Sequence, residues 1–116
     1  MTENPLVSII IPTKNSEAPI ERCLRSIKKQ TYENIEIVVV DNYSKDKTCG
    51  IAKKLGAKVY LSGPERSAQV NFGVKIARGK YVYAVGSDFL IERTVIEECL
   101  QKCEGIEGSA HTSAGG

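Results

Sequence analysis

Residues 6–15 read Leu6-Val7-Ser8-Ile9-Ile10-Ile11-Pro12-Thr13-Lys14-Asn15. This stretch decides the fold, because five of its first six residues are apolar and four of those are β-branched. Such a run is typical of a strand buried on both faces. Pro12 has no N–H to donate to a neighbouring strand, so the strand is predicted to end there. Open α/β domains build their binding sites where buried strands run into polar loops like the one that follows.

The composition indicates one soluble domain. The chain has 116 residues, of which 41% are hydrophobic and 26% charged. A net charge of +2 gives no reason to expect nucleic acid as a partner. The longest apolar run, residues 6–11, is far shorter than the roughly 20 residues of a membrane helix. The first residues do not resemble a signal peptide. The default expectation is therefore a cytoplasmic protein, with docking on a membrane surface left open.

Strand-type and helix-type patterns alternate along the chain. Strands are expected over residues 6–11, 35–40, 58–61 and 80–85, and an amphipathic helical pattern follows each of them. Four β-α units in series predict a parallel sheet with helices on both faces. We therefore expect a three-layer, Rossmann-like α/β domain over residues 1–104, with strand order 3-2-1-4. Residues 105–116 are rich in Gly, Ser and Ala and are predicted to form a flexible tail.

Several site types are excluded. The loop after the first strand has neither the G-x-G-x-x-G of dinucleotide folds nor the G-x-x-x-x-G-K-[ST] of P-loops. The single histidine, His111, lies in the predicted tail, so no Ser/His or Cys/His pair is available. The cysteines lack C-x-x-C spacing and are expected to be reduced thiols, a redox or metal role being the lesser alternative. These cysteines are Cys23, Cys49, Cys99 and Cys103.

Two carboxylates follow predicted strands. Asp41 ends the second strand and Asp88 follows the fourth, so order 3-2-1-4 places both at one edge of the sheet. Asp41 could accept hydrogen bonds from a nucleoside, and Asp88 could hold a hard divalent cation. The alternatives are an Asx turn at Asp41 and a turn cap at Asp88.

The sequence also resembles a known family. Four segments, residues 7–15, 34–46, 65–73 and 79–82, look like the motifs of nucleotide-sugar glycosyltransferases of the GT-A fold, in the large inverting family two. The resemblance covers residues 5–104 in the expected order. It implies a nucleotide-diphospho-sugar transferase type of domain.

The resemblance implies roles for individual residues. Asp41 would hydrogen-bond the base, usually uracil, and Arg66 would meet a phosphate. Asp88 would be the last carboxylate of an Asp-x-Asp motif and would coordinate Mn²⁺ or Mg²⁺ on the diphosphate. The alternatives are a solvated surface role for Arg66 and helix packing for Asn71. The implied nucleotide-binding residues are Pro12, Thr13, Asn15, Asp41, Arg66 and Asn71.

The chain departs from the family in two ways. The metal motif reads Gly86-Ser87-Asp88 and lacks its first carboxylate. Family members also continue for a stretch that supplies the acceptor pocket and the general base, so no catalytic residue is assigned. The favoured function is transfer of sugar from a nucleotide-diphosphate sugar, usually UDP-sugar, to a glycan, lipid or protein acceptor. The alternative is a truncated, non-catalytic nucleotide-binding module.

An apolar edge at residues 82–85 predicts self-association through the fourth strand.

Overall fold

The computed structural model describes residues 5–105, and the side chains of residues 5–102. Within this range strands and helices alternate, which confirms the predicted α/β class. The elements are β1 (Val7–Thr13), α1 (Glu17–Lys28), β2 (Ile35–Asp41), α2 (Thr48–Lys54), β3 (Lys58–Leu61), α3 (Arg66–Ile76), β4 (Tyr81–Ala84) and α4 (Val95–Gly105).

The sheet is parallel and has the order β3-β2-β1-β4, as predicted. β1 pairs with β2 along its whole length, from Val7 beside Ile35 to Thr13 beside Asp41. Because the two strands end at the same level, the side chains that follow their carboxyl ends are neighbours in space.

The predicted end of the first strand at Pro12 is wrong, because β1 continues to Thr13. The Val7 amide donates to the Asn34 carbonyl, just before β2, whereas the Ile10 carbonyl accepts from the Val85 amide, just beyond β4. The backbone N–H and C=O groups of the even-numbered residues of β1 therefore point toward β4. The position of the missing Pro12 N–H therefore faces β4, whose pairing ends at Ile10 and Ala84. A proline at this point interrupts no bond to β2, so that pairing can continue.

Two apolar clusters fill the layers on either side of the sheet. One joins Ile9 and Ile11 of β1 to residues of α1, α2 and α4, including Leu24 and Ile96. The other lies under α3 and contains Ile10, Val38 and Val40, with Phe72 and Ile76 packed against them. This is the three-layer arrangement expected of a buried parallel sheet.

The last elements differ slightly from expectation. α4 includes Gly105, which had been predicted to begin the tail, and residues 106–116 of that tail lie outside the described residues. β4 is an edge strand but ends at Ala84, and Val85 is buried, so the apolar edge is shorter than predicted. Self-association through this edge stays a prediction. Among the described residues, no helix is both long and apolar enough to cross a membrane.

Candidate functional site

A buried Thr–Asp pair lies at the carboxyl ends of β1 and β2. The Thr13 hydroxyl donates to Asp41 Oδ1 over 2.6 Å, and both side chains are buried. The strand register brings them together, because Thr13 is the direct neighbour of Asp41 in the sheet. The pair fixes the start of the two loops that leave these strands.

The β2–α2 loop wraps around the Asp41 carboxylate. Ser44 donates its backbone N–H to Oδ2 over 2.7 Å and its hydroxyl to Oδ1 over 2.6 Å. Burial by itself raises the pKa of Asp41, but the hydrogen bonds from Ser44 and Thr13 outweigh it, and the net pKa lies below the ordinary value. Asp41 is therefore an anionic acceptor at neutral pH.

The β1–α1 and β2–α2 loops interlock beside this carboxylate. The Asn15 amide donates to the Ser44 hydroxyl over 2.6 Å, and the Lys45 amide donates to Asn15 Oδ1 over 2.8 Å. Asn15 has a φ of 47° and Tyr43 a φ of 51°, so each loop contains one left-handed residue. The result is a compact, polar rim above the ends of β1 and β2.

Gln69 anchors α3 to the same strand ends, and sequence reasoning missed it. Its side chain is buried, and Nε2 donates to the Thr13 carbonyl over 2.9 Å and to the Val40 carbonyl over 2.7 Å. A signal was available, because Gln69, Gly73 and Ile76 recur at helical spacing on the face of α3 that meets the sheet. A polar side chain on such a face must find partners.

Arg66 and Asp88 both approach Gly86, beyond the end of β4. Arg66 is the first residue of α3, and both side chains are exposed. A β carbon placed on Gly86 would lie 3.1 Å from Asp88 Oδ1 and 3.4 Å from Arg66 Nη2. The structure therefore brings a guanidinium and a carboxylate to one backbone position, which is also where the metal motif lacks its first carboxylate.

Asp88 could contribute one carboxylate ligand to a divalent cation, with the other ligands coming from outside the described side chains. No group of three or more His, Cys, Asp or Glu side chains that could hold a metal occurs within the described part of the chain. The Ser87 hydroxyl donates to the Ser16 hydroxyl over 3.1 Å and is directed away from such a role. Mg²⁺ is commonly bound by one or two carboxylates together with substrate phosphates, so Asp88 fits that pattern beside a diphosphate.

Of the remaining predicted residues, Pro12 lies beside the site, whereas Asn71 makes no hydrogen bond to it. Pro12 is buried next to Thr13, within the group formed with Asn15 and Asp41. Asn71 is exposed on α3 and makes no hydrogen bond to any described residue of the site. The structure thus brings Asn15 and Thr13 close to Asp41 and brings Arg66 and Asp88 close to Gly86, and Asn71 hydrogen-bonds to neither group.

The described cysteines are free thiols. Burial, and then Asp88, raises the pKa of Cys23 to about 11. Burial and the Asp41 carboxylate raise the pKa of Cys49 to about 11 as well. Both thiols are protonated at neutral pH, which removes them as nucleophiles.

A separate cavity of about 410 Å³ lies at the opposite edge of the sheet. Its lining includes Ile35 and Lys58, which begin β2 and β3, together with Tyr32 and Leu55. No predicted site residue lies there, and ligands of open α/β sheets bind at the carboxyl edge.

Comparisons with known proteins agree with this geometry. The sequence profile of Glycosyl transferase family 2 matches residues 8–108. An uncharacterized glycosyltransferase of Rickettsia typhi is 39% identical over 99 residues, which cover 83% of this chain and 31% of that protein. The chain spans about a third, or less, of the length of the curated relatives it matches.

Solved structures that match this chain also include glycosyltransferases. The S. aureus protein TarS (residues 1–349), solved in complex with UDP-GlcNAc, matches with a TM-score of 0.75 and 27% identity over 92% of this chain and 37% of that one. The mannosyltransferase PcManGT from Pyrobaculum calidifontis, solved with GDP-Man and Mn²⁺, matches with a TM-score of 0.63 and 28% identity over 75% of this chain and 28% of that one.

Proposed function

The chain belongs to glycosyl transferase family 2, and from this premise we propose that its carboxyl-edge site binds a nucleotide-diphosphate sugar, preferentially a UDP-sugar, for transfer of the sugar to an acceptor. One observation carries the proposal. The Thr13–Asp41–Ser44 group and the Arg66–Asp88 pair lie at the ends of adjacent parallel strands, where such folds bind nucleotides.

The first group forms the nucleoside half of the site. Thr13 and Ser44 donate three hydrogen bonds to Asp41, and the Cys49 thiol, a weak donor, also bonds to this carboxylate. Asp41 is proposed to accept a hydrogen bond from the base. Pro12 and Asn15 are proposed to contribute to the same half of the site, and the complex of TarS with UDP-GlcNAc supports uracil as the base.

The charged pair forms the phosphate half. Arg66 is proposed to bind the diphosphate through its guanidinium, which suits phosphate oxygens. Asp88 is proposed to hold Mn²⁺ or Mg²⁺, and such a cation neutralises the charge that develops on a departing diphosphate. The presence of Mn²⁺ with GDP-Man in PcManGT supports this assignment.

A second candidate function is nucleotide binding without transfer. It is favoured by Gly86, which stands where the metal motif would have its first carboxylate. Dependence on the cation distinguishes the two candidates, because a transferase of this type uses the cation to stabilise its leaving group.

Replacing Asp88 with asparagine should remove the effect of Mn²⁺ on UDP binding. We expect Mn²⁺ to tighten binding of UDP to the unmodified chain by about tenfold, and to leave the affinity of Asp88→Asn unchanged, because the amide is a far weaker cation ligand. Isothermal titration calorimetry with and without Mn²⁺ measures both values.

Glu92→Gln is the matched control, since Glu92 is an exposed carboxylate four residues farther along the chain. It should keep the full Mn²⁺ effect. An unmodified chain that binds UDP equally well with and without Mn²⁺ would favour the non-catalytic candidate. An unmodified chain that does not bind UDP at all would overturn the proposed function.

A further inference from the structure

Tyr43 is an exposed aromatic residue at the rim of the site. Its side chain is 60% exposed, although the residues on either side are only partly exposed. It lies two positions after Asp41, on the loop that wraps around that carboxylate. It is not among the binding residues that the sequence predicts.

The backbone of Tyr43 is held in a conformation that a bulky residue adopts at a cost. Its φ of 51° lies in the left-handed region, where glycine is favoured and a large side chain is a true outlier. Its neighbours fix it there. The Asn42 amide donates to the Thr13 carbonyl over 2.9 Å, the Asn42 side chain donates to the Pro64 carbonyl over 2.6 Å, and Ser44 is bound to Asp41.

No ring contact, cation–π contact or hydrogen bond of the Tyr43 side chain within the described residues offsets this cost. The Tyr43 ring takes part in no ring pair and no cation–π contact there, and its hydroxyl has no hydrogen-bond partner among them. By contrast, Tyr60 packs against Phe72 with 5.9 Å between ring centroids. Residues with a strained backbone cluster at active sites and ligand sites.

We propose that the Tyr43 ring is the platform on which the nucleobase of the donor stacks. This inference rests on the proposed function, in which Tyr43 would be a positioning residue for the base. An aromatic ring with two side-chain torsions, carried on a pinned loop, loses little freedom when a base settles on it. Every base offers a π-face, so stacking orients the base, and the hydrogen bond to Asp41 selects it.

The test compares UDP binding by the unmodified chain, Tyr43→Gly and Tyr43→Phe. Tyr43→Gly should weaken UDP binding by about tenfold, within the range that stacking contributes per base. Its melting temperature should be equal to or higher than that of the unmodified chain, because glycine relieves the strain at φ 51°. Tyr43→Phe keeps the ring and should bind UDP as tightly as the unmodified chain.

A spectroscopic signature separates stacking from a merely structural role. Stacked uracil protons H5 and H6 should move upfield on binding to the unmodified chain and to Tyr43→Phe, and should lose that shift with Tyr43→Gly. If the unmodified chain binds UDP and Tyr43→Gly binds it equally well, the stacking inference is wrong and the proposed function stands. If the unmodified chain does not bind UDP, the proposed function itself fails.

Discussion

Replacing Asp41 with alanine should lower the free energy of unfolding by about 3 kcal/mol and abolish measurable UDP binding. The change leaves four buried or half-buried donors without their acceptor: the Thr13 hydroxyl, the hydroxyl and amide of Ser44, and the Cys49 thiol. An unsatisfied buried donor costs about 1–3 kcal/mol. Binding is lost because the two loops that form the nucleoside half of the site are both held by this carboxylate. Urea denaturation and UDP calorimetry measure the two effects.

The contribution of the Asp41 carboxylate to stability can also be tested through the pH dependence of the free energy of unfolding. The folded pKa of Asp41 lies below its ordinary value of 3.8. Its contribution to stability is therefore fully present above about pH 4 and is lost as the pH falls through the folded pKa. The difference in stability between the unmodified chain and Asp41→Ala should shrink over that acid range.

Asp88→Ala is the control for this substitution. Asp88 is an exposed carboxylate that makes no hydrogen bond or ion pair to any described residue, so its removal should change the free energy of unfolding by less than about 0.5 kcal/mol. Equal stabilities of Asp41→Ala and Asp88→Ala would contradict the role assigned to the buried carboxylate.

Replacing Gly73 with alanine should destabilise the fold by about 1–3 kcal/mol, the usual cost of overpacking a core. A β carbon at Gly73 would lie 2.5 Å from Ile10 Cγ2 and 3.3 Å from Val40 Cγ2. To accept it, α3 must move away from the sheet, which lengthens the two hydrogen bonds from Gln69 to the strand ends. We therefore expect weaker UDP binding together with a lower melting temperature.

Gly50→Ala is the matched control, because Gly50 is also helical and a β carbon there meets nothing within 4 Å. It should stabilise the fold by about 0.5 kcal/mol through the better helix propensity of alanine. A loss of stability at Gly50 similar to that at Gly73 would contradict the assignment of the Gly73 effect to contact with β1.

The sheet could be predicted from the sequence because its strands are continuous apolar runs separated by helical patterns. That pattern alone placed Asp41 and Asp88 at one edge, since parallel strands end on the same side. The end of β1 was placed at Pro12 because the missing N–H was assumed to face a paired strand. The direction it faces depends on the register with β4, which local sequence does not specify.

Much of the site geometry could not be predicted, because it depends on contacts between distant segments. The donors to Asp41 come from Thr13 and Ser44, and the charged pair forms only where α3 and the β4 loop converge on Gly86. The left-handed backbone of Tyr43 is likewise set by its anchored neighbours, and a tyrosine gives no local signal for it. The resemblance supplied candidate residues, and tertiary packing decides which of them are close together.

The most direct test of a donor site at the carboxyl edge is an amide NMR titration of the labelled chain with UDP in the presence of Mg²⁺. The account predicts shifts at Thr13, Asn15 and Ser44 and at Gly86 and Asp88, with none at Tyr32 or Leu55 beside the opposite cavity. An absence of shifts at millimolar UDP, or shifts confined to the opposite cavity, would contradict it.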